Sequence, residues 1–297
     1  MYYKLTLRLL ARLAPSICFM ALCSQVAHGD DAADPNALMP SRAGYTTTSL
    51  DPSGTSLPAS YQGIDPSVTF INLVHKFETA KGEFETTQQY NDRLAKANKT
   101  PVIGDLMVDE DYEFKIDPSC VRTVYDADKK EMTVKLTFVY SKAVFSWGDP
   151  DNNTLLLQQT ETGKQVYTAT NGFGAEFQVA KATDNDVSLS VLNMKDFHFK
   201  MGFADDVVGD TTGFIVPMDV DAAKSAKANI AVLAICHLAQ KDGHYIASHH
   251  ENTTPTTSSP FDLDITDAYI NAKLDQVWVY DSATGQVYCR AEPRSKK

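Results

Sequence analysis

Cys236, His237, His244, His249, His250 and Glu251 form the strongest cluster of metal-ligating and nucleophilic side chains in the 297-residue chain. Asp242-Gly243 lies among them and is a strong two-residue hairpin signal. Such a turn sets Cys236 opposite His249 and His237 opposite Ser248. Side chains alternate between strand faces, so Cys236, His249 and Glu251 share one face, and His237 and His250 make a diagonal pair on the other. A Cys/His/Glu set suits zinc. A cysteine beside a histidine also suits a thiolate nucleophile, provided a third group orients the imidazole. The plainer reading makes Cys236 a small buried hydrophobe and puts the histidines on an edge strand beside a polar loop. Ligands spread over both faces favour that reading, so no metal, cofactor or catalytic residue is assigned.

Other constellations are weaker. Asp149, Asp151 and Asn153 stand where the first, third and fifth ligands of a calcium loop would, but Thr154 replaces the glycine and Thr160 the closing acid. A solvated turn explains them better. Gly172 and Gly174 bracket Phe173 in a strand entry, where a turn or bulge accounts for them. Trp147, Trp278, Phe138 and Tyr280 could make a sugar or peptide platform, although aromatics in half-buried strands more often pack in the core. G-x-S-x-G, H-E-x-x-H, a P-loop and a helix-opening G-x-G-x-x-G are missing from the sequence.

Lys and Arg number 27 against 38 Asp and Glu, a net charge of −11. That sign disfavours nucleic acid, whose phosphates need cations. Lys4, Arg8 and Arg12 precede a short apolar run at 13–22, and Ala27-His28-Gly29 fits a small-x-small cleavage site. Residues 1–29 are therefore read as a cleavable signal peptide, and the chain as periplasmic or extracellular with no membrane span. Leu22 before Cys23 is not the small residue that lipoprotein processing needs. Cleavage would remove those three cations and no acid, taking the net charge to −14. Cys120, Cys236 and Cys289 remain, enough for one disulfide and one free thiol. Cys120 and Cys289 are the expected pair, against three free thiols or a bond to Cys236.

The elements follow from period and punctuation. Residues 30–64 read as a flexible leader, rich in Asp, Ala, Pro, Ser, Thr and Gly. A single domain is expected over 65–297. Asp65-Pro66 opens a helix whose apolar face is Phe70, Leu73, Val74 and Phe77. Thr86 to Gln89 is a capping box for a second. From about residue 111 the period becomes two. Residues 121–125 pair with 132–138. Two further hairpins are expected, turning at Thr162-Gly163 and at Thr183-Asp184-Asn185. A short helix falls within 219–228, and residues 230–238 are a strand buried on both faces. Residues 267–280 and 286–290 close the chain around Gly285. The class is α+β: mainly antiparallel sheet after two helices, with one short internal helix.

Three segments carry a resemblance: Lys81-Gly82-Glu83-Phe84-Glu85-Thr86-Thr87-Gln88-Gln89-Tyr90, Asn171-Gly172-Phe173-Gly174-Ala175, and Val277-Trp278-Val279-Tyr280-Asp281 running to Thr284-Gly285-Gln286-Val287. They resemble exported bacterial proteins with no assigned activity. The resemblance implies export and one domain, and it transfers no catalytic residue. The expectation is a non-enzymatic binding or envelope-assembly module with a protein partner in the cell envelope. The alternative is a metal-dependent hydrolase or thiol enzyme on the Cys236/His249/Glu251 face. A third reading uses an exposed strand edge for β-augmentation.

Overall fold

A computed structural model describes residues 38–77, 81–140, 153–197, 202–203 and 210–293. The expected signal peptide, residues 30–37, Trp147 and residues 149–152 lie outside the described residues. Helix α1 spans Pro66–Phe77, α2 Thr87–Ala97 and α3 Val220–Ala226. The strands are β1 (Asp111–Lys115), β2 (Val121–Asp126), β3 (Glu131–Thr137), β4 (Val139–Tyr140), β5 (Asn153–Thr170), β6 (Glu176–Val191), β7 (Gly202–Phe203), β8 (Asp210–Pro217), β9 (Ile230–Leu238), β10 (Ile246–Asn252), β11 (Phe261–Asp281) and β12 (Val287–Ala291). Among the described residues no helix is long and apolar enough to cross a membrane.

The chain is α+β and mostly sheet. The larger sheet runs β1-β9-β11-β6-β5-β4, with β10 and β12 also on β11; the smaller runs β2-β3-β8-β7. The described pairs are antiparallel apart from β6 with β11. β9 is apolar from Ile230 to Cys236 because it lies between β1 and β11 with both faces covered. One face of the larger sheet, here the inner face, carries Tyr112, Phe114, Leu189, Val232, Cys236, Ile270 and Val279. It shares one core with Leu73 of α1 and with Met132, Val134 and Leu136 of the smaller sheet. Asp65 starts α1, its Oδ1 accepting the backbone N–H groups of Ser67 and Val68 at 3.1 and 3.2 Å. α2 has its full capping box at Thr86 and Gln89 but buries no residue, so its own ends must support it.

Pairing departs from the expectation in three places. Asp242 and Gly243 do make a tight turn with φ of 52° and 88°, closed by two 2.9 Å bonds between Lys241 and His244. The flanking strands do not pair across it. β9 lies along residues 272–281 of β11, and β10 continues in line along 264–270 of the same edge. The ladder is carried across the excursion by Ala239 N–H to Asn271 O and Asn271 N–H to Tyr245 O. Thr162-Gly163 is a bulge inside β5, not a turn, with Gly163 at φ 71°. Thr183, Asp184 and Asn185 lie inside β6. One long hairpin replaces the two expected ones, and it turns at 171–175, where the Asn171 side chain accepts the N–H groups of Phe173 and Ala175 at 3.0 Å.

Residues 38–64 are not a free leader; the compact unit begins at Leu38. Residues 38–47 run beside α1, where Asn72 bonds the Met39 backbone and Asp65 pairs with Arg42, and residues 50–61 form a strap on the outer face of the larger sheet. Leu57 is buried there with Ala231, Leu233, Ile235, Trp278 and Tyr280, and Leu50 and Tyr61 pack alongside. Backbone bonds fix the strap and the residues after it: Leu57 N–H to Gly285 O at 2.8 Å, Ser60 N–H to Ser282 O at 2.9 Å and Ile64 N–H to Glu113 O at 2.7 Å. Arg42 pairs with Asp65, and Arg290 lies over the Trp278 ring at 3.9 Å while donating to the Pro52 and Gly54 carbonyls. Trp278, Tyr280 and Phe138 are thus packing residues.

Gly285 has φ of 80°, and a Cβ there would lie 1.8 Å from the Leu57 carbonyl oxygen. Gly285→Ala is expected to lower stability by more than ~1 kcal/mol in urea titration. Gly174→Ala, at φ 82° but facing open space, should cost less. Equal losses would mean that the strap does not approach the β11–β12 turn.

Candidate functional site

The structure does not assemble Cys236, His249 and Glu251. Cys236 is fully buried on the inner face, opposite Tyr112 and Leu274, and its thiol donates to the Tyr112 carbonyl at 3.5 Å. Burial, with Asp275, Glu113 and Asp111 adding to it, pushes this thiol well above its ordinary range, so it stays protonated and unreactive. His249 and Glu251 lie opposite Asp267 and Ile265 on the outer face, 4.0 Å apart. His250 turns to the other side, toward Thr266 and Asp264. Among the described residues no group of three or more His, Cys, Asp or Glu is arranged to hold a metal ion. The structure does not join Cys120 to Cys289. Cys120 closes a turn at the entry to the smaller sheet, whereas Cys289 stands opposite Val279 on an edge strand of the larger one. Burial pushes the Cys289 thiol up to about 11.

Strand register gathers a different set. Across the outer face, Glu161 of β5 lies opposite Asp184 of β6, and Asp186 of β6 lies between Gln159 of β5 and Asp267 of β11. His249 of β10 completes the row beyond Asp267. Like charges set directly opposite one another oppose pairing. The protein answers with protons. Asp186 is pushed up to about 7, by burial first and then by Asp184, Asp267 and Asp117. Asp184 is raised by burial, with Glu161 and Asp267 adding to it, and it shares a hydrogen bond with Asp186. The other Asp186 oxygen is buried without a partner. Sequence reasoning missed this row because Asp184 read as a turn residue and only the parallel register brings Asp267 to Asp186.

At the far end of the outer face, the bulge after Leu274 frees Asp275 to meet His237, Oδ2 to Nδ1 at 2.8 Å. Asp111 lies opposite His237 on β1, its carboxyl raised by burial and by Asp275. An Asp–His pair orients an imidazole as a base. Among the described residues no hydroxyl or thiol is hydrogen-bonded to His237, so the pair has no nucleophile to activate.

The hairpin offers the most exposed recognition surface. Phe173 at its tip is 99% exposed and Val166 is 70% exposed. The Tyr167 hydroxyl donates to Asp262 at 3.0 Å and Lys181 lies 3.6 Å from the same carboxylate, which ties the hairpin to the start of β11. Among the described residues the outer edge of β5 pairs only with β4, at Asn153 and Thr154. From 158 to 170 that edge reads Q-Q-T-E-T-G-K-Q-V-Y-T-A-T: no proline, two charges and one bulge. Such an edge is a ready template for another strand.

Asp186→Asn is expected to stabilise the fold by about 0.5–1 kcal/mol at pH 8 and by little at pH 4. A carboxyl raised in the folded state costs stability as pH rises from its ordinary 3.8 toward 7. Thermal melts at both pH values check this; a variant destabilised at pH 8 would mean that Asp186 is held charged by a cation. The chain matches no family model, no curated protein and no solved structure.

Proposed function

We propose that this chain is an exported, non-enzymatic binding module that captures an extended segment of a protein partner in the cell envelope. Residues 1–29 would direct export. The partner segment adds as a strand to the outer edge of β5, its backbone completing the ladder and its side chains choosing the site. The single observation that carries the reading is the nearly uncharged edge from 158 to 170, which no other described strand covers, on a hairpin whose tip exposes Phe173. The row of Glu161, Asp184, Asp186 and Asp267 beside it favours a segment bearing Lys or Arg and disfavours anionic ones. The buried, protonated Cys236 and its separation from His249 and Glu251 weigh against the thiol or metal enzyme.

Selection of displayed random peptides against the full chain tests the proposal. Selected peptides should alternate β-branched or aromatic with basic residues and should protect the amides of 158–170 from hydrogen exchange. Their affinity should fall at least about tenfold in Thr168→Pro, because proline removes a ladder donor and stiffens the edge. Cys236→Ser should leave binding unchanged. Peptides that protect another surface, or that bind Thr168→Pro equally well, would overturn it.

A further inference from the structure

Glu113 is a fully buried carboxyl under the strap, and the hairpin reading makes no use of it. It sits on β1 opposite Ile235, on the outer face. Its Oε1 accepts the strap's Leu50 N–H at 2.8 Å. Its Oε2 is buried without a partner, and so is the hydroxyl of Tyr61, which the strap places in the same cluster. A charged carboxylate with one hydrogen bond in an apolar cluster is costly, whereas the neutral acid is not.

The charged neighbours do not relieve it. Beside α1, Arg42 is held by Asp65. On β1, Lys115 donates to Gln62 at 3.2 Å, and Asp111 adds a second acid. On β9, His237 pairs with Asp275 of β11. Tyr280 of β11 donates its hydroxyl to the Tyr61 carbonyl at 3.0 Å. Arg290 of β12 is spent on the Trp278 ring and two strap carbonyls.

We propose that the strap is a pH-dependent latch: seating residues 50–61 on the outer face takes up one proton at Glu113, and lifting the strap releases that proton to water. The lifted state would bare Leu233, Ile235, Trp278 and Tyr280, which the strap now covers. Burial pushes the Glu113 carboxyl up to about 7, with Asp111 adding to it and the Leu50 N–H opposing. An exposed carboxyl returns to its ordinary 4.5. The direction follows from linkage. Closure is strongest below about 4.5, weakens as pH rises through 7, and is constant above that.

Two measurements on the full chain test the latch. The Glu113 side-chain carboxyl, followed by carbon NMR, should titrate near 7; a midpoint near 4.5 would overturn the proposal. The amides of Leu57 and Ser60, both bonded from the strap to the body, report opening by hydrogen exchange. Corrected for intrinsic rates, their protection should fall about tenfold or more between pH 5 and pH 8. Between the midpoints of the open and closed carboxyl, each step of one in pH changes the closing equilibrium about tenfold. The amides of β9 serve as the internal reference. Glu113→Gln should flatten the pH dependence, and Asp186→Asn should leave it intact. Strap protection that is independent of pH, or that falls equally in Glu113→Gln, would contradict the latch.

Discussion

The backbone of β11 satisfies four other strands. Over its first half it bonds β10 on one edge and β6 on the other; over its second half it bonds β9 and β12. Twenty-one residues of continuous strand make this arrangement possible. It dictates that β9 and β10 run in line and do not fold on each other, and that β6 lies parallel to β11. The bulge after Leu274 keeps Leu274, Val277 and Val279 on the inner face while releasing Asp275 to His237. Core, acidic row and strap floor all inherit their positions from this one strand.

The two faces of the larger sheet are treated differently. The inner face is apolar and packed by α1 and the smaller sheet, and it buries Cys236 completely. The outer face carries the ionisable groups that the fold cannot bury cheaply. Under the strap this face is apolar around Glu113, while Lys115 donates to Gln62 and Arg290 to strap oxygens; toward the hairpin it is a file of carboxylates. Both regions raise carboxyl groups toward neutral pH by burial, and in the acidic row like-charge neighbours reinforce the effect. The outer face therefore changes charge over the interval in which ordinary carboxylates are already ionised.

Much of the local structure was legible. Residues 230–238 announced a doubly buried strand because no polar residue interrupts the apolar run before His237. The Thr86 box is written in four consecutive residues, and the 126–130 turn between β2 and β3 in its polar composition. Pairing was not legible, because it is a competition between segments far apart in the chain. Asp242-Gly243 makes the turn its residues demand, yet both flanking strands pair with β11 and not with each other. Thr162-Gly163 and Thr183 to Asn185 are polar because the hairpin leaves the core there, and that polarity imitates a turn. The strap hid for another reason: Leu50, Leu57 and Tyr61 anchor it at irregular spacing, which no period detects. The acidic row depends wholly on register.

The claim on which the rest stands is that β11, and not β10, is the partner of β9. Backbone nuclear Overhauser contacts in the isotope-labelled full chain address it directly. The architecture predicts cross-strand contacts from Cys236 to Leu274 on one side and to Tyr112 on the other, with none to His249. Contacts between Cys236 and His249 would restore the hairpin, return the thiol and imidazole to one face, and contradict the pairing on which both the acidic row and the strap depend.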